Sequence, residues 1–435
     1  MGDHTEEELP EYSPNPGRPR AGTRGFSCEH RYALQDRNGH DWISFKVKSR
    51  AADSKHMPLF FEGDTIKGEV QLELSKAETL KGLTITIRAG TTAVGQEEEI
   101  FLDRTEPIWT PASPSEAKVT GKHTHPFSIS IPRDAMVAPV PKATPKSFSL
   151  PPTFSERASA AYIDYKLYVT VRRGGLRVNS KLSTSFVFLP RTVADYPSPL
   201  RTLAYAENVA ILGPDADPEG WNVCDPVKIT GTLFNARNVS VQCTVSDSGA
   251  FTYASNSPIP LLLTLRGTDV QALDLFATGT NLHLLRTVAI GSEAAKETGV
   301  RRSNNTFVSS VAKGVFWPHE AGAAAEISGT GDSGVRELRG ELFVPKGSKQ
   351  SFSFPRFACR YTFVLLPPQV PGFTPATEPE DPLLIQRITI TMAGAPGVTP
   401  SSQIPPGYEV AFEGNYNVAT GFLENGNQRF LHHTR

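Results

Sequence analysis

The sequence predicts an all-β protein made of two immunoglobulin-like antiparallel β-sandwich domains in tandem, with disordered termini. The main observation is that apolar residues recur at every second position in many short segments, as in half-buried strands. Turn-forming Gly and Pro residues bound these segments, and no convincing amphipathic helix of about 10 or more residues separates them. Several short strands joined by turns are typical of a sandwich.

The first domain is expected over residues 41–190. Residues 1–40 before it are rich in Pro, Gly, Arg and Glu, and such a segment cannot bury enough apolar surface to offset its ordering entropy, so it is predicted to be a disordered tail. In the domain, Ile66, Val70, Leu72 and Leu74 alternate with polar residues, and Gly68 interrupts the apolar face without breaking the register. Similar alternation occurs over residues 83–87, 127–131 and 163–171.

The second domain is expected over residues 221–395, after a Pro-containing hinge or linker at 191–220. Alternation resumes over residues 227–233, 239–245, 261–265, 361–365 and 388–392. Residues 291–334 turn to Gly, Ala, Ser and Glu and are predicted to be an exposed insertion. Phe316 and Trp317 in it either pin the loop to the sandwich or form a partner-binding tip. Residues 396–435 are predicted to be a second tail.

The composition of the chain limits the classes of function that this protein is expected to have. The 435 residues include 44 basic and 45 acidic side chains, a formal net charge of -1, so no global field draws the chain to nucleic acid or anionic lipid, and any membrane contact would be local. Four widely spaced cysteines, without a CxxC pair, favour a reducing compartment. Neither a signal peptide nor an apolar run of about 18 residues is visible, so we expect a cytoplasmic protein.

Two short proline-tyrosine motifs lie outside the predicted sandwiches. One is Leu9-Pro10-Glu11-Tyr12 in the first tail, and the other is Pro405-Pro406-Gly407-Tyr408 in the second. Adjacent prolines favour a polyproline II ribbon, and a Tyr two positions later supplies an aromatic anchor for the groove of a WW domain. The predicted partner-binding residues are Leu9, Pro10, Tyr12, Pro405, Pro406 and Tyr408. The alternative for the second motif is ordinary turn chemistry, with Tyr408 opening a strand.

Catalytic motifs are weak, and we predict no catalytic residue, no cofactor, no metal site and no enzymatic activity. Residues 331–334 read Gly-Asp-Ser-Gly, as around a protease serine, but no histidine in a matching context accompanies them. His123 and His125 share one side of a predicted strand, whereas zinc needs three or four converging donors. Nucleotide-binding and HExxH motifs are absent from the sequence. The basic pairs at 172–173 and 301–302 are interpreted as solvated loop ends or as contacts with acidic lipid.

Three segments of the first half resemble the arrestin fold. Residues 60–70 (FFEGDTIKGEV) resemble its opening strand, residues 125–132 (HPFSISIP) its strand ending in Ile-Pro, and residues 150–154 (LPPTF) the lead-in to a long strand. The second half is similar in strand pattern and position, with 227–231 as its opening strand. Proline-tyrosine motifs outside the sandwiches are typical of the alpha-arrestin branch, whose members recruit WW-containing HECT ubiquitin ligases to membrane transporters.

The resemblance implies an adaptor that links a WW-domain HECT ubiquitin ligase to cytosolic tails of membrane transporters or receptors for ubiquitination and endocytic trafficking. It implies a cytoplasmic protein that is recruited to the plasma membrane or endosomes. A second hypothesis is an arrestin-fold trafficking coat scaffold that binds partners through strand edges and needs no ubiquitin ligase. A third is an enzyme built on a sandwich, which would require a pocket with converging titratable groups.

Overall fold

Strands make up more than half of the part of the chain that the structure describes. The computed structural model describes residues 25–93, 95–139, 142–156, 159, 161–175, 177–249, 251–292, 294, 305–318, 334–379 and 381–408. The described residues of the first half form ten strands. They are β1 (Cys28–Gln35), β2 (Asp41–Ser49), β3 (Leu59–Phe61), β4 (Thr65–Ala93), β5 (Glu99–Trp109), β6 (Lys118–Ser130), β7 (Asp134–Val137), β8 (Lys146–Ser149), β9 (Ala161–Arg173) and β10 (Ser180–Leu189).

The 29-residue strand β4 organises the first half. Its first part lies between β2 and β6, and β1 extends this layer beyond β2. Its second part lies between β5 and β9, and β10 and the parallel β3 extend that layer. The pairing register shifts between Leu74 and Glu78 and again between Leu80 and Gly82, so one strand turns a corner and serves both layers.

The alternation predicted for β4 is confirmed by burial. Ile66, Val70 and Leu72 have no exposed surface, and Ile85 and Ile87 are at most 1% exposed. Gly68 is required where the strand passes close to its neighbour, since a Cβ there would lie 2.0 Å from the carbonyl oxygen of Lys46. The apolar side chains of both layers belong to one buried cluster.

In the second half, the residues that the structure describes form thirteen strands in two larger sheets. They are β11 (Trp221–Val223), β12 (Val227–Leu233), β13 (Arg237–Ser248), β14 (Thr252–Ala254), β15 (Pro258–Gly267), β16 (Asn281–Ile290), β17 (Thr306–Lys313), β18 (Val315–Pro318), β19 (Gly334–Phe343), β20 (Phe352–Phe354), β21 (Phe357–Leu366), β22 (Phe373–Pro375) and β23 (Leu384–Thr391).

One of these sheets has the order β18-β19-β15-β13-β12-β22, with β11 also on β13. The other has the order β14-β23-β21-β16-β17, with β20 also on β21. β21 is buried on both faces, which explains its nearly continuous apolar sequence. The all-β sandwich prediction is confirmed, while the division into two tandem domains and its boundaries stay a prediction.

Two short α-helices and one 3₁₀ turn complete the described chain. Helix α1 (Pro199–Glu207) lies in the predicted linker, where the Ser198 side chain caps its first turn by accepting a hydrogen bond from the backbone N–H of Arg201. The 3₁₀ turn Pro218–Gly220 ends the same region. Helix α2 (Val270–Thr278) follows β15 and is capped by Asp269. Each helix has 9 residues, so neither reaches the length of about 10 residues to which the prediction of no amphipathic helix applied.

Two expectations about irregular segments differ from the structure. The predicted tail at 1–40 contains β1, which pairs with β2 along its length; residues 1–24 lie outside the described part. The predicted exposed insertion at 291–334 is wrong for residues 306–318, because β17 pairs with β16 and β18 pairs with β19. Trp317 is only 8% exposed, so it packs against the sheets, as the first of the two alternatives for this loop expected.

A seam of aromatic rings joins the two halves of the chain. Phe354 lies between Phe101 and Phe148, with ring centroids 4.7 and 6.1 Å away. The ring centroid of Phe154 lies 5.9 Å from that of Phe352 and 5.0 Å from that of Phe357. Edge-on and tilted contacts at these spacings are the favourable arrangements for aromatic pairs.

Polar contacts flank the seam on two sides. Nη1 of Arg286 lies 2.7 Å from Oε1 of Glu156, and both side chains are largely buried. On the chain that connects the halves, Oγ1 of Thr192 donates to Oε1 of Gln350 (2.6 Å) and accepts from the backbone N–H of Met392 (2.9 Å). The connecting chain is therefore bound to the second half rather than spanning open solvent.

We predict that Phe354→Ala lowers the free energy of unfolding by about 3–5 kcal/mol, because a ring that is 2% exposed leaves a cavity between Phe101 and Phe148. Urea unfolding checks this. Phe343→Ala is the control, since Phe343 is 42% exposed and should cost much less. A loss of unfolding free energy for Phe354→Ala that is no larger than the loss for Phe343→Ala would contradict a stabilising role of the seam.

We also predict acid destabilisation through His283, whose Nε2 donates to Oδ1 of Asn281 (2.7 Å) and whose Nδ1 lies 3.0 Å from Oγ of Ser310. Burial, with a smaller contribution from Lys313, lowers the pKa of His283 to about 4. In the unfolded chain His283 becomes protonated near pH 6.5, whereas in the folded chain it becomes protonated only near pH 4. The unfolded state therefore binds more protons between these values, and the free energy of unfolding falls as the pH falls.

The loss that His283 causes between pH 7 and pH 5 should be about 2 kcal/mol. Urea unfolding at the two pH values measures it. His283→Gln should remove this part of the pH dependence, whereas His40→Gln, at a side chain that is 82% exposed, should not. An unchanged pH slope in His283→Gln would contradict the assignment.

Candidate functional site

The second proline-tyrosine motif lies in a tight turn on the surface. The backbone N–H of Tyr408 donates to the carbonyl oxygen of Pro405 (3.2 Å), and Gly407 has φ of +90°. A hydrogen bond over four residues with positive φ at the third position defines a type II turn, whose second residue, Pro406, keeps a nearly polyproline II conformation. The motif therefore has a proline in a nearly polyproline II conformation, followed by a reversal of the chain direction at Gly407.

Tyr408 packs against one tryptophan. Its ring centroid lies 6.4 Å from that of Trp317, with the planes inclined at 55°. Tyr408 is 40% exposed, so part of the ring is covered and part faces solvent. The alternative, in which Tyr408 opens a strand, stays a prediction, because residues 409–435 lie outside the described part.

A buried carboxylate holds the chain just before the motif. Glu341 in β19 is 2% exposed, and its Oε1 accepts from Oγ of Ser402 (2.6 Å) while its Oε2 accepts from the backbone N–H of Gln403 (2.8 Å). Burial raises the pKa of Glu341, and the hydrogen bonds from Ser402 and Gln403 partly oppose that rise. Both oxygens of the acid are therefore used to anchor one segment.

Gln403 makes a second anchor with its side chain. Its Nε2 donates to the carbonyl oxygen of Val209 (2.8 Å), and its Oε1 accepts from the backbone N–H of Ile211 (3.3 Å). The segment that receives Gln403 is itself held, since Nε1 of Trp221 donates to the carbonyl oxygen of Leu212 (2.8 Å). Residues 402–403 are thus clamped between β19 and the chain after α1.

A cavity of about 230 Å³ lies beside this clamp. Its lining includes Trp221, Trp317, Arg339, Glu341 and Gln403. Burial lowers the pKa of Arg339. The cavity is therefore bounded on one side by the C-terminal segment and on the other by the sheet that carries Glu341.

A second cavity, of about 200 Å³, lies against α1 and contains the buried guanidinium of Arg201. Arg201 is 2% exposed, and its Cζ lies 4.6 Å from the ring centroid of Trp221. Burial lowers the pKa of Arg201 and raises that of Asp247 to about 6. The charges of Asp217 and Asp247 partly oppose this lowering of the Arg201 pKa, while its Nε and Nη2 are buried without a hydrogen-bond partner in the described part of the chain. We assign no ligand to the cavity.

The other candidate residues do not form a common site in the described part of the chain. Leu9, Pro10 and Tyr12 lie outside it, as do residues 301–302 and 331–333. The rings of His123 and His125 stack 6.4 Å apart, and no group of three or more His, Cys, Asp or Glu side chains among the described residues could hold a metal ion. In the other basic pair, Arg173 lies over the ring of Trp42 at 4.7 Å and 3.6 Å from Glu78.

The cysteines are unpaired thiols, three of them buried. Burial raises the pKa of Cys224 to about 11 and those of Cys243 and Cys359 to about 12, so these three thiols stay protonated at neutral pH. No helix in the described ranges is both long enough and apolar enough to cross a membrane.

Comparison with protein-family models finds none that matches this chain. A search of curated proteins finds no matching protein either. The sequence predicted Pro405, Pro406 and Tyr408 as partner-binding residues, which stays a prediction, and gave no sign of the residues that hold this segment. Glu341 resembles any acidic residue of an alternating strand, and no local signal connects it with Ser402 some sixty positions later.

We predict that Gly407→Ala opens the turn, because an L side chain at φ of +90° costs about 1–2 kcal/mol. Hydrogen exchange at the Tyr408 amide, the donor of the turn, should accelerate by about 5- to 30-fold. Gly213→Ala is the control, since a Cβ there meets nothing within 4 Å and Gly213 lacks a positive φ. Unchanged exchange in Gly407→Ala would contradict the turn.

Proposed function

We propose that this protein is an arrestin-like adaptor of the alpha-arrestin type, which docks a WW-domain HECT ubiquitin ligase through its proline-tyrosine motifs. The observation that carries the proposal is the surface position of Pro406, Gly407 and Tyr408, outside the sheets, with the Tyr408 ring partly open to solvent. An adaptor motif has to be reachable while the fold stays intact. The all-β body and the order of the arrestin-like segments support the same interpretation.

The proposed mechanism is tethering. The sandwich surfaces bind a cytosolic tail or loop of a membrane transporter or receptor, while Tyr408, together with Tyr12, docks the ligase. Ubiquitin transfer then gains from high effective concentration, and the ligase performs the chemistry. In this proposal the chain has no catalytic role, acts in the cytoplasm and is brought to the plasma membrane or endosomes by its cargo.

A trafficking scaffold that works without a ligase is the second candidate. The observation that favours it is the partial cover of Tyr408 by Trp317 and the anchoring of the preceding residues, which restrict the motif. Such a scaffold would bind its partners through strand edges such as β1, which among the described strands pairs with β2 alone. The two candidates differ in whether WW binding depends on the tyrosines.

The test is a titration of the full chain with a purified WW domain from a HECT ubiquitin ligase. Tyr408→Ala should weaken binding by about 30-fold or more if Tyr408 is the aromatic anchor, and a double variant with Tyr12→Ala should abolish it. Tyr196→Ala is the matched control, since Tyr196 is 64% exposed and lies outside both motifs. Binding that is indifferent to both motif tyrosines, or no binding to any variant, would contradict the adaptor proposal.

A further inference from the structure

The segment that carries the second motif is bound to its own protein at several points. Glu341 accepts two hydrogen bonds from Ser402 and Gln403, one on each carboxylate oxygen. Hydrogen bonds to an ionised and buried acceptor are stronger than neutral ones at the surface. Glu341 is 2% exposed with the segment in place, so its two hydrogen bonds are shielded from competing water in the docked state.

The other contacts act on both sides of this anchor. Gln403 bridges the carbonyl oxygen of Val209 and the backbone N–H of Ile211, and Tyr408 lies against Trp317 five residues later. The partners come from the paired strands β18 and β19 and from the chain after α1, which lies far earlier in the sequence. A segment with no role in the fold would not be expected to satisfy groups from two separate regions.

A docked motif and a WW-bound motif make competing demands on the same residues. A WW groove has to receive the extended prolines and the aromatic ring that follows them. In the described state Trp317 covers part of that ring, and the prolines follow directly on residues held by Glu341. A WW domain would therefore have to displace this packing in order to surround Tyr408.

We propose that residues 401–408 form an intramolecular latch on Glu341, the chain at 209–211 and Trp317, which limits access of a WW domain to the Tyr408 motif. This inference rests on the proposed adaptor function. The measured dissociation constant then equals the intrinsic constant divided by the fraction of open latch. Any partner or modification that occupies Glu341 or Ser402 in its place would increase ligase docking at Tyr408.

The test uses the full chain in a Tyr12→Ala background, so that the WW domain reports on Tyr408 alone. Glu341→Gln removes one acceptor. In a second variant, Ser402→Ala removes the hydroxyl donor to Glu341, and Gln403→Ala removes the side-chain bridge to Val209 and Ile211 while keeping its backbone N–H. Either change should tighten WW binding by about tenfold, the effect of losing a hydrogen bond to a charged group. Glu337→Gln, at an exposed position of the same strand, is the control with an equal change of charge and should have no effect.

The second readout does not depend on the ligase. In the parent chain the Gln403 amide should be protected from hydrogen exchange, and Glu341→Gln should accelerate its exchange by about tenfold, with no change in Glu337→Gln. An unprotected Gln403 amide in the parent chain would overturn the latch whatever the ligase does. Protection that Glu341→Gln relieves, without WW binding in any variant, would keep the latch and overturn the adaptor proposal. Tyr408-dependent binding that no latch variant tightens would overturn the latch alone.

Discussion

The aromatic seam between the two halves is the contact on which the rest of the arrangement depends. Each half buries alternating apolar faces within its own sheets, and Phe354 of the second half is buried where Phe101 and Phe148 of the first half lie against it. Once the halves meet there, Thr192 can reach Gln350, and Arg286 can reach Glu156. The connecting chain and α1 are then held against the second half, which places Val209 and Ile211 where Gln403 meets them.

Buried polar groups in this protein have different consequences according to how they are paired. His283 is neutral because burial opposes its charge, so it makes stability depend on pH. Arg201 keeps its charge and is balanced by nearby carboxylates and by the Trp221 ring. Glu341 is paired with the segment that carries the proline-tyrosine motif, so its hydrogen bonds bear on the position of that motif as well as on the stability of the core.

Period-two alternation was sufficient to predict the strands whose apolar side chains alone determine their burial, such as β4 and β9. It missed β1, because half of the residues of Cys28–Gln35 are polar and its buried residue is His30; this strand is formed by pairing with β2. It also missed β17, whose buried face includes Thr306, Ser309 and Ser310 and so looked like an exposed loop. The proline-tyrosine motif could be read locally, whereas its anchor Glu341 could not, since that contact joins residues distant in sequence.

Hydrogen exchange across the full chain, alone and saturated with a WW domain from a HECT ubiquitin ligase, tests the central claim that the Tyr408 motif docks a ligase by leaving its own protein. The account predicts that binding protects the Tyr408 amide, accelerates exchange of the Ile211 amide as it loses Gln403, and leaves the strands unchanged. New protection along an edge strand such as β1, with residues 401–408 unaffected, would contradict it and favour a scaffold that binds its partners through its sheets.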